Sequence, residues 1–422
     1  SAVFYLLGPG GWTVVLGGVA CLLAGICVTA CAIRRMARSG GRRRTMVLAC
    51  VYHIAILVGF KYTEFLTGGA VEVGWAPLGL SFFTFQQLWL LKEVYTGEYV
   101  PAPGDSLLLY GLFFPTVTSG PILRPGIFFP QLREKGFLHP DWSDAAAGIY
   151  AICCGTIKKV LLADAFGTVV NNGWVHLEEL SAPAAWLVIL GYTLQLYFDF
   201  SGYCDIAAGV ARLFGLRLPM NFDSPYRSAS VTEFWRRWHI SLTTWFREYL
   251  YIPLGGSRKG TWRTVRNIFL VWFCTGFWHG ASWNFILWGL HFFVWLMLEK
   301  YLLREFLQKL PMWLRHGYTL LVVFAGWGVF AMEDLTVCGQ YFRTCFGDGT
   351  LWSAADGYYL TAYGLTLAIL AVGSTHWVKN GWNRLPERAR DVLGPVLMLA
   401  GLVVCTAYLV DGSYNPFLYF RF

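Results

Sequence analysis

The sequence predicts an all-α polytopic membrane protein, and three observations carry that prediction. Of the 422 residues, 56% are hydrophobic and 14% are charged, where an ordinary soluble domain carries about 25% charged residues. Mean hydropathy is +0.48 over the whole chain, so the apolar residues are not confined to one anchor. Apolar runs of spanning length recur from one end to the other, and a helix needs about 20 such residues to cross the hydrocarbon core. The runs are continuous, not alternating, which points to helices whose backbone groups satisfy one another inside lipid. A soluble globular enzyme is excluded at this stage.

Six segments read directly as spanning helices: Trp12–Ile33, Met46–Leu66, Ala76–Leu91, Tyr318–Met332, Tyr359–Val372 and Val392–Val410. Leu107–Val117, Ala145–Leu162, Ala184–Phe200 and Asn267–Leu298 are helical in length or composition, although Gly, Pro or charge interrupts several of them. The expected total is about ten or eleven transmembrane or re-entrant segments. The first apolar segment has no basic flank before it and is followed by a basic cluster, so it reads as a retained helix and not a removable signal peptide. Residues 119–144 and 201–266 are rich in Pro, Gly, Asp and Arg. Charged or irregular backbone at membrane depth is tolerated only where protein buries it or water lines it, so the centre of the chain is the expected functional region. No repeat of 20–50 residues and no inverted repeat is visible, and the chain is read as one membrane domain, residues 1–422.

The net charge is +8, which on such a chain marks cytoplasmic loops facing an anionic leaflet, with no nucleic-acid partner. Arg34, Arg35, Arg38, Arg42, Arg43 and Arg44 form one basic cluster, and Lys300–Arg315 and Lys379–Arg390 form two more. The positive-inside rule places all three in the cytoplasm and both chain ends outside. The eleven cysteines include several inside apolar runs and show no CxxC spacing, so they read as small hydrophobes, with no metal site and no disulfide framework.

Two histidines dominate the chemistry. His279, in Trp278-His-Gly-Ala-Ser-Trp283, lies in an apolar, Trp-rich stretch, where burial favours the neutral imidazole that a general base requires. Its bland alternative is a core histidine hydrogen-bonded across a helix interface. His239 ends Glu233-Phe-Trp-Arg-Arg-Trp-His239, among Arg236, Arg237, Arg247 and Glu248 and many aromatics. If that stretch is helical, Glu233 and Arg237 form an i,i+4 pair, as do Trp235 and His239. It reads either as an interfacial amphipathic helix or as a cytoplasmic vestibule whose Arg236, Arg237, Arg247, Arg258 and Lys259 hold the phosphates of an acyl donor. The glycine-rich loop at Tyr251–Gly260 lacks the spacing of a phosphate-binding P-loop, and no HExxH or GxSxG motif occurs. Asp199 and Asp205 stand out among the acidic residues, with Arg212, Arg217 or Arg227 as expected burial partners.

These stretches carry a resemblance. Pro77-Leu-Gly-Leu-Ser-Phe-Phe-Thr-Phe-Gln86, Phe114-Pro-Thr-Val-Thr-Ser-Gly-Pro121, Lys158-Lys-Val-Leu-Leu-Ala-Asp164 and Tyr197-Phe-Asp-Phe-Ser-Gly-Tyr203 come first. Asn221-Phe-Asp-Ser-Pro-Tyr-Arg227, the Glu233–His239 block, Tyr249-Leu-Tyr-Ile-Pro-Leu-Gly-Gly256, Trp278–Trp283 and the terminal Asn415–Phe422 follow. Together they resemble the membrane-bound O-acyltransferase family, in particular its bacterial alginate O-acetyltransferase-like branch, with a core at about residues 75–300. The resemblance implies helices around a central funnel or tunnel through the bacterial inner membrane, with a thioester bound on the cytoplasmic side and an acceptor reached from outside. His279 then matches the family's catalytic histidine, and His239 a second one that serves donor binding or support. The chain departs from the branch at Phe292, where a Gly usually follows the motif ending in His291, which leaves His291 a packing role.

The expected reaction is attack of an acceptor hydroxyl on the thioester carbonyl of acetyl-CoA, a co-substrate and not a bound cofactor, with His279 as base. Trp283, Asn284, Ser282 or amides near Gly280 would hold the oxyanion. The further substrate- or donor-binding candidates are Trp278, Asp199 and Tyr226. The acceptor is expected to be an extracytoplasmic polysaccharide, reached through a secreted acetyltransferase partner. Two alternatives stay open: D-alanyl transfer from a carrier-protein thioester to teichoic acid, and, in a different class, a glycolipid transporter or flippase.

Overall fold

The computed structural model describes residues 11–38, 41–102, 105–134, 138–347 and 350–411 and is helical, with no strand among the described residues. The terminal Asn415–Phe422 motif lies outside them. The chain divides into two compact units, one comprising residues up to Ile152 with Ile206–Met220, the other Cys153–Asp205 with everything from Asn221 onward.

In the first unit, α1 (Trp12–Arg38) and α2 (Arg42–Lys61) are apolar helices flanked by the first arginine cluster. The third helix, α3 (Leu80–Thr96), begins later than the sequence suggests because Gly79, at φ +72°, turns the chain in the left-handed region. A Cβ there would lie 2.4 Å from the carbonyl of Val117, so only glycine fits. Leu90 and Leu91 of α3 pack with Tyr110, Phe113, Phe128 and Phe129 in an aromatic core. Glu93 is buried in this unit and accepts from Arg124 Nε at 2.6 Å, from Trp89 Nε1 at 3.1 Å and from the Gly126 amide at 3.1 Å. The expected helix over 107–117 is two short ones, Leu107–Gly111 and Phe114–Val117.

The second unit holds most of α4 (Trp142–Val175) and α5 (Ala182–Leu213). These two run antiparallel on a seam of small residues: a Cβ on Gly202 would lie 2.8 Å from the Gly155 carbonyl, and one on Gly191 2.3 Å from the Phe166 ring. Within α4, Lys158–Asp164 is π-helical. Lys159, buried there, reaches both Asp164 and Asp199 at 2.7 Å, and Lys158 reaches Asp205 at 2.6 Å. The arginines expected to neutralise Asp199 and Asp205 do not do so. Arg212 and Arg217 pair with Asp144 in the first unit, because the lysine pair on the facing helix is nearer.

After these come α6 (Val231–Arg237), α7 (Ile240–Phe246), α8 (Thr261–His279), α9 (Trp283–Leu298), α10 (Met312–Ala331), α11 (Leu335–Cys345), α12 (Ala354–Gly373), α13 (Trp377–Arg384) and α14 (Glu387–Asp411). The apolar stretch 267–298 is thus an antiparallel hairpin, broken at Gly280–Ser282. Glycines let its two arms touch: Cβ atoms on Gly276 and Gly289 would lie 2.3 Å from the Phe285 carbonyl and 2.4 Å from the Trp272 carbonyl.

By length and composition, five helices can cross a membrane, Trp12–Arg38, Arg42–Lys61, Trp142–Val175, Trp283–Lys309 and Glu387–Val410. A sixth is added if Ala355–Gly373 and Trp377–Arg384, bent by 71°, form one span. In the other expected places α3, α5, α8 and α10 are helices outside that set.

Candidate active site

His279 closes α8 at the tip of the hairpin and is buried. Its ring sits in a basket of aromatic edges, with Trp278 and Trp288 at 4.8 Å and Phe330 at 5.2 Å between centroids. Such a setting withholds solvent from the imidazole. Gly280 follows in an extended conformation, and a Cβ there would collide with the Phe285 ring at 2.1 Å. The hairpin tip therefore has no room for a larger residue beside the histidine.

His239 is held differently. The helix expected to run through it stops at Arg237, and His239 has φ +45°, the left-handed region that non-glycine residues rarely adopt. The Trp235/His239 helical pair therefore does not form, whereas the Glu233/Arg237 pair does, at 2.9 Å. The His239 ring meets the Phe200 ring edge-on at 4.8 Å, and Trp278 lies at 6.4 Å, so one indole stands between the two histidines. Burial pushes the protonation of His239 down, to about 3.

A cavity of ≈ 730 Å³ lies in the same unit, within the range of small-molecule sites. Five cations line it, Arg236, Arg247, Lys300, Arg304 and Arg315. Among the described residues none of the five is in an ion pair. The acid at the same wall, Glu299, is committed: it accepts from the Val231 amide at 2.5 Å, the Thr232 amide at 3.0 Å and the Thr232 hydroxyl at 2.9 Å, tying α6 to the end of α9. Along α8 the cavity is lined by Ile268, Val271, Trp272 and Thr275, one face of a helix. His279 continues that face one turn further, about 6 Å along the axis. The arrangement sets a cation-lined cavity with an apolar α8 wall one helical turn from a buried imidazole, with the rings of Trp235, Trp272 and Trp288 packed between them.

The other predicted residues divide. Arg236 and Arg247 line the cavity, and Trp278 packs on both histidines. Arg237 is absent from the cavity wall and bonds Asp223 and Glu233 at 2.9 Å. Arg258 is exposed on the turn before α8. Asp199 is paired with Lys159, and the Tyr226 hydroxyl donates to the Thr193 carbonyl at 2.7 Å. At the hairpin tip Ser282 is half-buried and Trp283 exposed, and Asn284 spends its amide donors on the Phe330 and Val329 carbonyls at 3.1 and 3.4 Å, tying α9 to α10. No group of acidic, His or Cys side chains suited to a metal occurs among the described residues. Sequence reasoning overlooked Lys300, Arg304 and Arg315 as site residues because their density had been spent on orientation. Asn221, too, carries no local signal of a role in the sequence.

Residues 105–339 match the membrane-bound O-acyltransferase family model. The chain is 34% identical over 429 residues to a probable alginate O-acetylase, AlgI, of Pseudomonas putida, covering 91% of this chain and 86% of that protein. It is 36% identical to a peptidoglycan O-acetyltransferase of Helicobacter pylori, over 59% of this chain and 54% of the relative. With a teichoic acid D-alanyltransferase of Bacillus subtilis it shares 33% identity, over 51% and 56%.

Proposed function

The chain belongs to the membrane-bound O-acyltransferase family and is a multi-pass membrane O-acyltransferase, and from that premise we propose that it draws an acetyl group from acetyl-CoA and passes it to hydroxyls of an extracytoplasmic polysaccharide. The observation that carries this reading is the cavity with a five-cation mouth, whose α8 wall leads to His279. Coenzyme A offers phosphates at one end and a thioester at the other, separated by a slender arm that suits a cavity with cations on one part of its wall and apolar side chains on the rest. Arginine and lysine at the mouth bond the phosphates, while the apolar part takes the arm.

In the transfer step, His279 takes the proton of the acceptor hydroxyl as its oxygen bonds to the thioester carbonyl carbon. The carbon–sulfur bond then breaks, and the proton is returned to the leaving thiolate, so ester and free thiol are the products. Backbone amides at the Gly280–Ser282 turn are the donors nearest to the histidine in sequence for the transient oxyanion. His239 serves the same site from the other side of Trp278. In this reading the cavity mouth faces the cytoplasm across a bacterial inner membrane, the side on which the thioester is made, and the basic residues around it support that orientation. The acceptor lies outside, with a secreted acetyltransferase as the relay. The greater coverage of the alginate O-acetylase relative supports acetyl over D-alanyl as the transferred group.

The test is transfer from radiolabelled acetyl-CoA by the purified protein in lipid nanodiscs, with periplasmic extract as acceptor. His279→Ala should abolish transfer while acetyl-CoA still binds, and His239→Ala should depress it. A wild type that consumes D-alanyl carrier-protein thioester but not acetyl-CoA would reassign the donor.

A further inference from the structure

Asn221 lies at the junction between α5 and α6, is buried, and turns both of its oxygens to the segment carrying His239. Its main-chain carbonyl accepts from the Ile240 amide at 3.0 Å. Its side-chain oxygen accepts from the Ser241 amide at 3.0 Å and from the Ser241 hydroxyl at 3.0 Å, and it lies 3.3 Å from His239 Nδ1. Its amide nitrogen points the other way, to Cys204 Sγ at 3.5 Å. Two residues on, the Asp223 amide donates to the Arg237 carbonyl at 3.0 Å, so the strained left-handed backbone at His239 is pinned on both sides.

This network fixes a proton. A backbone N–H only donates, so the atom that meets the Ser241 amide must be the side-chain oxygen of Asn221 and not its NH2. That oxygen only accepts, so Nδ1 of His239 must carry hydrogen to bond it. In a neutral imidazole the second nitrogen, Nε2, is then the lone-pair atom. With His239 buried to 1% exposure, the doubly protonated ring is disfavoured.

We propose that Asn221 is a positioning residue for acyl transfer, one that holds His239 as the Nδ1–H tautomer so that Nε2 accepts a hydrogen bond from a substrate O–H or N–H. This rests on the acyl-transfer reading above. The general device is an outer partner that sets ring orientation and tautomer through the nitrogen not facing the substrate. Ser241, by contrast, shares the oxygen of Asn221 without deciding the tautomer, so its hydroxyl is dispensable for that purpose.

The experiment is 15N spectroscopy of histidine-labelled protein in nanodiscs, the His239 ring signals being assigned by their loss in His239→Gln, alongside kinetics with acetyl-CoA. Wild type should show a protonated Nδ1 and an unprotonated Nε2. Asn221→Leu should lose that pattern and at least about 100-fold in kcat, the scale of acid–base contributions, with KM for acetyl-CoA unchanged. Asn221→Asp, which keeps an acceptor, should retain the pattern and stay within about 10-fold of wild type, and Ser241→Ala should resemble wild type in both. An Nε2–H tautomer in active wild type overturns the proposal without any variant having to fold. So does a tautomer change with no loss of turnover, or a loss of turnover with the tautomer unchanged. An inactive wild type with the expected tautomer removes the acyl-transfer reading and the positioning role with it.

Discussion

Replacing Gly276 by alanine should cost both stability and turnover, and the size of each effect follows from the hairpin. A Cβ on Gly276 would lie 2.3 Å from the Phe285 oxygen and 3.1 Å from its carbonyl carbon. Ordinary contact is about 3.5 Å, so the arms must part by roughly 1 Å. Both obstructing atoms are backbone and cannot rotate away. Overpacking of this kind costs about 1–3 kcal/mol, visible as a fall of a few degrees in Tm. His279 lies three residues along the same arm and Phe285 sits beside it on the other, so the displacement reaches the reacting groups, where about 1 Å is worth about 100-fold in rate. The assay pairs initial rates of acetyl transfer with melting curves in one detergent, using Gly364→Ala as control. Gly364 is interior to α12 with nothing within 4 Å of its Cβ position, so alanine there should be neutral or stabilising by up to about 1 kcal/mol. A Gly276→Ala protein with wild-type rate and wild-type Tm would refute the close-packed hairpin as the frame of the site.

Arg304→Gln and Arg315→Gln should each raise KM for acetyl-CoA about 5–10-fold with kcat little changed, as expected for loss of one charge-assisted phosphate contact. The difference from wild type should shrink when the kinetics are repeated in high salt. Lys159→Met should destabilise by about 3–5 kcal/mol, since it leaves Asp199 buried without its cation. Adding Asp199→Asn should restore part of the lost Tm, measured by differential scanning fluorimetry. Glu299→Ala should cost about 1–3 kcal/mol by stripping the acceptor from the Val231 and Thr232 amides. It should also slow donor turnover, because Arg236 is carried by the helix that those amides begin.

The helical, membrane-embedded character of the chain was legible because composition and apolar run length report directly on lipid burial. His279 stands out as a candidate in the sequence because an ionisable side chain in an apolar run demands an explanation, and Arg236 and Arg247, which line the cavity, because basic residues cluster around His239. Periodicity failed at His239. A 3.6-residue reading carries the helix of Val231–Arg237 straight through, and nothing local announces that the left-handed turn is held by Asn221, which lies 18 residues upstream. The partner of Asp199 was misassigned for a related reason. The sequence ranks arginines as buried partners, whereas the π-helical turn at Lys158–Asp164, invisible in a pattern, rotates two lysines toward the carboxylates. Tertiary proximity, not residue type, selected the partners in both cases.

The packed indoles between the cation-lined cavity and the hairpin tip have a bioenergetic consequence. A membrane protein with a cavity open to polar molecules risks becoming a leak for protons and sodium. Trp235 and Trp272 form part of the cavity wall, and behind them Trp288, Phe292 and Trp327 stack ring against ring, each at most 2% exposed. A hydrated ion offered this barrier finds no oxygen to replace its water, while the positive mouth repels cations before they arrive. The same rings that pack on the imidazole thus present ions with a low-dielectric layer, so an opening for a polar molecule at one face need not be a conductor.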